Sequence, residues 1–136
     1  MKLEAIEAIV APFDFCGTEN GSFSGDVFEN MKNLRLLDTH GAYGAFSSCK
    51  LTTLPDELQW LRWKYYRLSS LPVANLHKLV GLEIIDCDIQ HLWMGYKFLP
   101  NLKFIHLDEL FSCESFPDVS GAPNVESNLF LRNVLL

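Results

Sequence analysis

Side chains capable of acid–base or metal chemistry are scattered along this chain rather than clustered. The histidines are His40, His77, His91 and His106, and neither an H-E-x-x-H motif nor a Cys/His cluster of zinc spacing accompanies them. Asp86 and Asp88 form a pair of acids, but such a pair is more typical of a solvated turn. Because a metal site needs several converging ligands, we interpret the histidines as solvated polar positions rather than metal ligands, with contact to a partner as the alternative for His40 and His106. The sequence predicts no metal ion and no cofactor.

The cysteines could form disulfides or act as nucleophiles, and the sequence favours neither role. Cys16, Cys49, Cys87 and Cys113 are irregularly spaced, and the acidic, weakly apolar N-terminus does not resemble a secretion signal. We therefore expect reduced, structural thiols. An alternative is a small α/β hydrolase that uses Cys49 or a serine, but no G-x-S-x-G nucleophile elbow is present. The chain is predicted not to be an enzyme, and labelling with a cysteine-reactive probe would separate the two interpretations.

A third set of side chains is suited to binding a protein rather than to catalysis. Aromatic residues and arginine are the types that interfaces use as anchors, and a nearby acid adds charge selectivity. The set predicted to contact a protein partner is Trp60, Arg62, Lys64, Glu83, Phe104 and His106. Alternatively, part of this set packs against a neighbouring domain or the next repeat. The residues are distant in sequence, so the elements that carry them decide whether they meet.

These elements follow a repeated spacing of apolar side chains. The first clear unit is Leu58, Leu61, Trp63, Leu68 and Leu71, at offsets of 3, 2, 5 and 3. The same offsets recur from Leu79 to Leu92, and again from Leu102 to Phe116 with one residue added. This is the leucine-rich pattern L-x-x-L-x-L-x-x-(N/C)-x-L, in which each unit is a short strand and a return segment. One unit cannot bury its apolar side alone, so the units must stack into a solenoid.

The centres of the units are evenly spaced. Leu37, Leu61, Leu82, Ile105 and, loosely, Leu129 are 24, 21, 23 and 24 residues apart, within the roughly 20 to 29 of this repeat class. The predicted fold is α/β, a leucine-rich-repeat solenoid of about five imperfect repeats. Short parallel strands would line its concave face, and its convex side would be irregular or short helical. Alternation along each strand sends the leucines inward and the predicted binding residues outward onto the concave face.

The whole chain is predicted to be one leucine-rich-repeat segment, 1–136. It divides into an N-terminal lead-in at 1–26, repeats at 27–124 and an irregular, truncated end at 125–136. Within the lead-in, Ile6 and Ile9 could open an earlier unit. Because the end repeats of a solenoid need a polar outer face and the C-terminal segment is apolar, we expect the chain to be a fragment of a longer array.

Two segments between the clear units have local signals of their own. Asp26 precedes a short stretch at 27–34, which is predicted to be a short helix with Asp26 as its N-cap. Residues 40–50 interrupt the repeat spacing and are rich in glycine, alanine and serine, so they are predicted to be an inserted loop.

Composition supports a folded chain without a general affinity for nucleic acid or membrane. Apolar residues make up 49% of the chain and charged residues 21%, unlike a disordered protein. The formal net charge of −6 argues against the basic surface that nucleic acid requires. No run approaches the roughly 18 apolar residues that would span a bilayer.

Several segments match, in order, the motifs of one known family. EAIEAIV at 4–10 is similar to E-A-I-E-G-I, FENMKNLRLL at 28–37 to F-x-x-M-x-N-L-R-L-L, and LPDELQWLRWKYYRLSSLP at 54–72 to L-x-x-E-L-R-x-L-x-W-x-x-Y-P-L-x-S-L-P. LVGLEIIDCDIQHLWMG at 79–95 resembles L-V-x-L-x-M-x-x-S-x-I-x-x-L-W-x-G. LPNLKFIHLDEL and FPDVSGAPNVE resemble L-x-x-L-K-x-I-D-L-S and P-D-F-S-x-x-P-N-L-E. The chain thus resembles the start of the leucine-rich-repeat region of plant intracellular immune receptors of the TIR–nucleotide-binding–leucine-rich-repeat type.

The chain also departs from this family pattern. Arg67 stands where the family commonly has proline, and Ala11 and Pro12 replace a leucine and an aspartate. Thr39 occupies a core position that is usually aliphatic. No G-x-x-x-x-G-K-[ST] phosphate loop is present, so no nucleotide or TIR-domain chemistry is assigned to these residues.

The resemblance implies a role in plant defence signalling. The implied partners are a pathogen effector or a guarded host protein, and the receptor's own nucleotide-binding module, which the repeats would restrain at rest. Neither nucleic acid nor membrane is an expected partner, and the expected location is the cytoplasm, with the nucleus as a second one. The alternative is a leucine-rich-repeat adaptor or scaffold without an immune role, and a phosphate-loop module encoded upstream would favour the receptor.

Overall fold

Six short strands form one parallel sheet within the residues described by the computed structural model, which are 5–10, 28, 30–39, 53–65, 70–73, 75–125 and 129–134. The strands are β1 (Ala8–Val10), β2 (Leu36–Asp38), β3 (Trp60–Lys64), β4 (Gly81–Ile85), β5 (Phe104–Asp108) and β6 (Leu129–Arg132). Each strand pairs in parallel with the next in chain order. Parallel neighbouring strands, joined by return segments that are irregular wherever the structure describes them, form a leucine-rich-repeat solenoid, as the spacing predicts.

One column of apolar residues runs through the register of all six strands. Its members, each opposite the next, are Ile9, Leu37, Leu61, Leu82, Ile105 and Leu129. Leu37, Leu61 and Leu82 are completely buried, because alternation turns this position inward and a neighbouring unit covers it on each side. The predicted alignment of Leu61, Leu82 and Ile105 is confirmed. The earlier unit at Ile9 and the loosely spaced unit at Leu129 also pair in this register.

Thr39, the polar residue in a core position, extends the pairing of β2 with β3. Its side chain is completely buried, and its backbone N–H donates to the carbonyl of Arg62 at 2.9 Å. Its hydroxyl oxygen accepts a long hydrogen bond of 3.4 Å from the backbone N–H of Lys64. The cost of burying this hydroxyl is therefore offset by a bond between strands.

In the described residues before β2, β3, β4 and β5, tight turns rather than α-helices lead into the strands. In the described part of 27–34, Met31 N–H donates to the carbonyl of Phe28 at 3.0 Å and Leu34 N–H to that of Met31 at 3.1 Å. The helix predicted for this segment is therefore wrong for the described residues, while Asp26 lies outside them. Apolar residues recur at every third position here, which suits turns of three residues better than the 3.6-residue period of an α-helix. The inserted loop predicted at 40–50 lies outside the described residues.

Side-chain amides connect successive turns. The Nδ2 groups of Asn75, Asn101 and Asn124 each donate at 2.8 Å to a carbonyl of the preceding unit, those of Leu54, His77 and Pro100 respectively. Lys78 and Glu57 form an exposed ion pair of 2.7 Å along the same edge. These contacts satisfy turn carbonyls that no strand partner reaches.

The described cysteines belong to the core. Cys87 and Cys113 are each about 4% exposed, and the thiol of Cys87 contacts the carbonyl of Trp63 at 3.7 Å. Burial raises the pKa of the Cys113 thiol, so this side chain stays neutral and behaves as a small apolar group. Cys16 and Cys49 lie outside the described residues.

Candidate functional site

Outward side chains of successive strands form rows across the face of the sheet opposite the core, which we call the open face. The first row is Ala8, Leu36, Trp60, Gly81 and Phe104, and the second is Val10, Asp38, Arg62, Glu83, His106 and Phe130. A third row contains Lys64, Ile85, Asp108 and Arg132. All six residues predicted to bind a partner therefore lie on this one face, in adjacent rows. His40 lies outside the described residues.

The carboxylate of Glu83 joins three neighbouring strands. Trp60 on β3 donates its indole N–H to Oε2 at 2.8 Å, and Nδ1 of His106 on β5 lies 3.4 Å from Oε1. In the tautomer that carries its proton on Nδ1, the imidazole is a donor to the carboxylate. The side chains of Glu83 and His106 are 22% and 31% exposed. These contacts hold the carboxylate and both rings in defined positions.

A glycine makes room for the indole of Trp60. A Cβ atom at Gly81 would lie 2.3 Å from Cε3 of Trp60, which means that the ring lies directly over the glycine backbone. The indole thereby reaches Phe104 on the far side of β4, with ring centroids 5.8 Å apart and planes tilted by 39°. Gly81 is thus a structural part of the site that the predicted set does not include, although a glycine between two outward aromatic positions is a visible signal.

Phe130 on β6 is a second residue that the predicted set does not include. Its ring meets that of His106 edge to face at a centroid distance of 4.9 Å, and 54% of the residue is exposed. The loose spacing before Leu129 obscures this strand in the sequence. The pairing of Leu129 with Ile105 places Phe130 next to His106 in the second row.

Together these side chains surround a shallow depression, which we call the Glu83 depression. It has a volume of about 290 Å³ and is lined by Trp60, Glu83, Phe104, Ile105, His106 and Phe130. The rings of Trp60, Phe104 and Phe130, the imidazole of His106 and a single carboxylate therefore meet at one place on the open face.

Arg62 and Lys64 lie beside the Glu83 depression and do not line it. An Nη1 of Arg62 is 3.9 Å from Oδ2 of Asp38 on the neighbouring strand. The ammonium of Lys64 lies 4.9 Å from the centroid of the Tyr65 ring, within range of a cation–π contact. The structure therefore brings four of the six predicted residues into direct contact and leaves these two cations on neighbouring positions.

Other features of the described residues offer little chemistry. A larger cavity of about 460 Å³ lies among the turns, but Asn75 and Lys78 already contact the two acids in its lining, Asp56 and Glu57. Among the described residues, no group of three or more histidines, cysteines and acids could hold a metal ion. No helix in the described part of the chain has the length and apolarity needed to cross a membrane.

The chain has clear relatives among plant proteins. Disease resistance protein RPP2A of Arabidopsis thaliana is 37% identical over 130 residues, which cover 90% of this chain and 10% of that protein. The chain is homologous to a segment of plant disease resistance proteins. Disease resistance protein RML1A is 30% identical over 84% of the chain, and disease resistance protein RRS1 is 34% identical over 82% of it, both from the same plant. The chain spans only 9% to 12% of the length of these disease resistance proteins. No protein-family model matches it.

Proposed function

We propose that the chain is a protein-recognition segment of an intracellular plant immune receptor, without enzymatic activity of its own. Its relatives are disease resistance proteins, which supports a role in defence. The resemblance to receptors of the TIR–nucleotide-binding–leucine-rich-repeat type points further, to recognition of a pathogen effector or a guarded host protein in the cytoplasm. The open face of the sheet is the proposed contact surface.

The observation that carries this proposal is the set of contacts around Glu83. Trp60 and His106 reach the same carboxylate from the two neighbouring strands, so the polar groups are already ordered. Side chains fixed in advance lose less conformational entropy when a partner binds, which raises affinity. Tryptophan is among the residues most often responsible for binding energy at interfaces.

Such a surface can also transmit a signal. A partner shifts a receptor from its resting to its active state only if it binds the active state more tightly. If the open face also contacts the nucleotide-binding module at rest, the partner and the module compete for the same residues. Removing the aromatic side chains would then either abolish the response to the partner or end the restraint that keeps the receptor in its resting state.

The test is the double substitution Trp60→Ala and Phe104→Ala in the full receptor, expressed in leaves and compared with the unaltered protein. We expect normal accumulation together with loss of the ligand-triggered response or with constitutive activity. The matched control is Phe98→Ala with Phe111→Ala, which removes two aromatic residues that are 53% and 61% exposed but belong to the return segments.

A double Trp60 and Phe104 variant that accumulates and responds normally, with no constitutive activity, would exclude the open face as the working surface. If the control pair instead abolishes the response, the contact surface lies on the return segments.

A further inference from the structure

The Glu83 depression has an unusual balance of charge. Glu83 is the single formally charged residue among its six lining residues, and three of the others are aromatic. Arg62, the neighbouring cation in the same row, is directed to Asp38 at 3.9 Å. The depression thus presents a carboxylate beside aromatic rings, whose electron-rich faces attract cations.

The hydrogen-bond donors of the Glu83 depression are already used, whereas some of its acceptors remain. The indole N–H of Trp60 is already donated to Glu83, and so is the N–H at Nδ1 of His106 in the tautomer that bonds the carboxylate. A carboxylate has about four acceptor positions, of which these two contacts use two. Nε2 of His106 carries no proton in this tautomer, and it is buried without a hydrogen-bond partner among the described residues, so it offers an occupant no donor. What remains for an occupant is acceptor capacity, so the occupant must supply donors.

Shape restricts the occupant further. The Trp60 and Phe104 rings are inclined at 39° with centroids 5.8 Å apart on one side, and Phe130 stands on the other side against His106. A flat or extended cationic group with an aliphatic stem can contact these rings while its charged end reaches the carboxylate. A neutral apolar side chain would instead leave the partly exposed carboxylate desolvated, which is costly.

We propose that the Glu83 depression binds a cationic side chain, an arginine or a lysine, of the partner protein. This inference rests on the proposed protein-recognition function and specifies the chemistry of its partner. The partner segment is basic at this position, in keeping with the net charge of −6 of the chain.

The test uses blocked pentapeptides, glycine–glycine–X–glycine–glycine, in which X is arginine, lysine or citrulline, the neutral isostere of arginine. Binding to the 136-residue chain is followed by NMR through the indole N–H of Trp60, the half-buried tryptophan that contacts Glu83. We expect saturable shifts with arginine or lysine and an affinity for citrulline that is about 5- to 10-fold weaker, as expected for a cation–π contact combined with a carboxylate.

Two variants test whether the affinity for the cationic peptides depends on Glu83. Glu83→Gln keeps the shape and an oxygen that accepts from Trp60 but removes the charge, and it should lower the affinity for the cationic peptides about 10-fold. The matched control is Asp108→Asn, which removes a carboxylate from the third row of the same face and should leave the affinity unchanged.

The inference is overturned if arginine and citrulline bind equally, if none of the peptides binds, or if Glu83→Gln retains full affinity and selectivity. The comparison of arginine with citrulline uses the unaltered chain, so it does not depend on the folding of a variant.

The outcome of the peptide test can be distinguished from the outcome of the leaf assay. Loss of the response in the Trp60 and Phe104 variant without any cation preference leaves the proposed function standing and excludes only the cation site. Cation binding through Glu83 together with a normal leaf response of the Trp60 and Phe104 variant supports the cation site and excludes the open face as the working surface of the receptor.

Discussion

The central strands and the edge strands of this sheet carry similar residues at equivalent positions but bury them very differently. Leu107 on β5 is completely buried, whereas Leu131, its register partner on β6, is 42% exposed. Among the described residues, β6 has a neighbouring strand on one side alone. The difference shows that burial in a solenoid is a property of the stack, because each unit relies on both neighbours to cover its apolar side.

The two regions also differ on the open face. Between β3 and β5, outward side chains from three strands contact one another around Glu83. On β1, Val10 is 56% exposed, although it occupies the same row as Glu83. A connected cluster of this kind therefore requires consecutive strands whose outward residues complement one another.

The largest expected effect is the contrast between Leu82→Ala and Leu131→Ala. Leu82 is completely buried in the middle of the core column, so its truncation should lower the free energy of unfolding by about 2–5 kcal/mol. The same truncation at the exposed Leu131 should change it by no more than about 1 kcal/mol. Urea denaturation followed by circular dichroism measures both values. Equal losses at the two positions would contradict the dependence of burial on neighbouring units.

A smaller effect is expected from Gly81→Ala. The new methyl group would collide with the Trp60 ring, so the ring must move, at a cost of about 1–3 kcal/mol. The bond between Trp60 and Glu83 should break, which an altered NMR signal of the Trp60 indole N–H would report.

The matched glycine is Gly95, which lies in a return segment. It has a φ of +70° and open space around its Cβ position, so Gly95→Ala should cost about 1–2 kcal/mol through backbone strain. Because the open face is not involved, the Trp60 signal should stay unchanged. An unaltered Trp60 signal in Gly81→Ala would show that the ring does not depend on this glycine.

The smallest effect concerns the residue that follows each of the last four strands. Tyr65, Asp86, Glu109 and Asn133 all have a positive φ, between 50° and 65°. Asparagine tolerates this left-handed conformation better than glutamate, so Glu109→Asn should stabilise the chain by about 0.5–1 kcal/mol. The reverse change at the edge, Asn133→Glu, should destabilise it by a similar or larger amount, because it also removes the hydrogen bond that Asn133 Nδ2 donates to Oδ1 of Asp108 at 3.2 Å. Thermal denaturation compares the two, and a loss of stability in Glu109→Asn would mean that the glutamate side chain has a stabilising contact of its own.

Much of the fold follows from the spacing of apolar residues. Leu61, Leu82 and Ile105 repeat within one consistent frame, and alternate side chains of a strand must point to opposite faces. This is sufficient to predict parallel strands, their core column and the outward set. The turn at Phe28 to Leu34 was predicted incorrectly, because a short run with apolar residues at every third position is compatible with a helix as well as with successive turns.

The contacts within the candidate site depended on the tertiary structure. The sequence places Trp60, Glu83 and His106 on one face, but each of these residues is 23 positions from the next. At that separation no local rule determines which neighbour a side chain contacts. The stacking of units places the Trp60 indole over Gly81 and the Phe130 ring against His106. It also directs Arg62 to Asp38. Periodicity thus determines which face each residue occupies, since that depends on the backbone alone. The packing of side chains between units decides which of them meet, since that depends on space and charge contributed by distant parts of the chain.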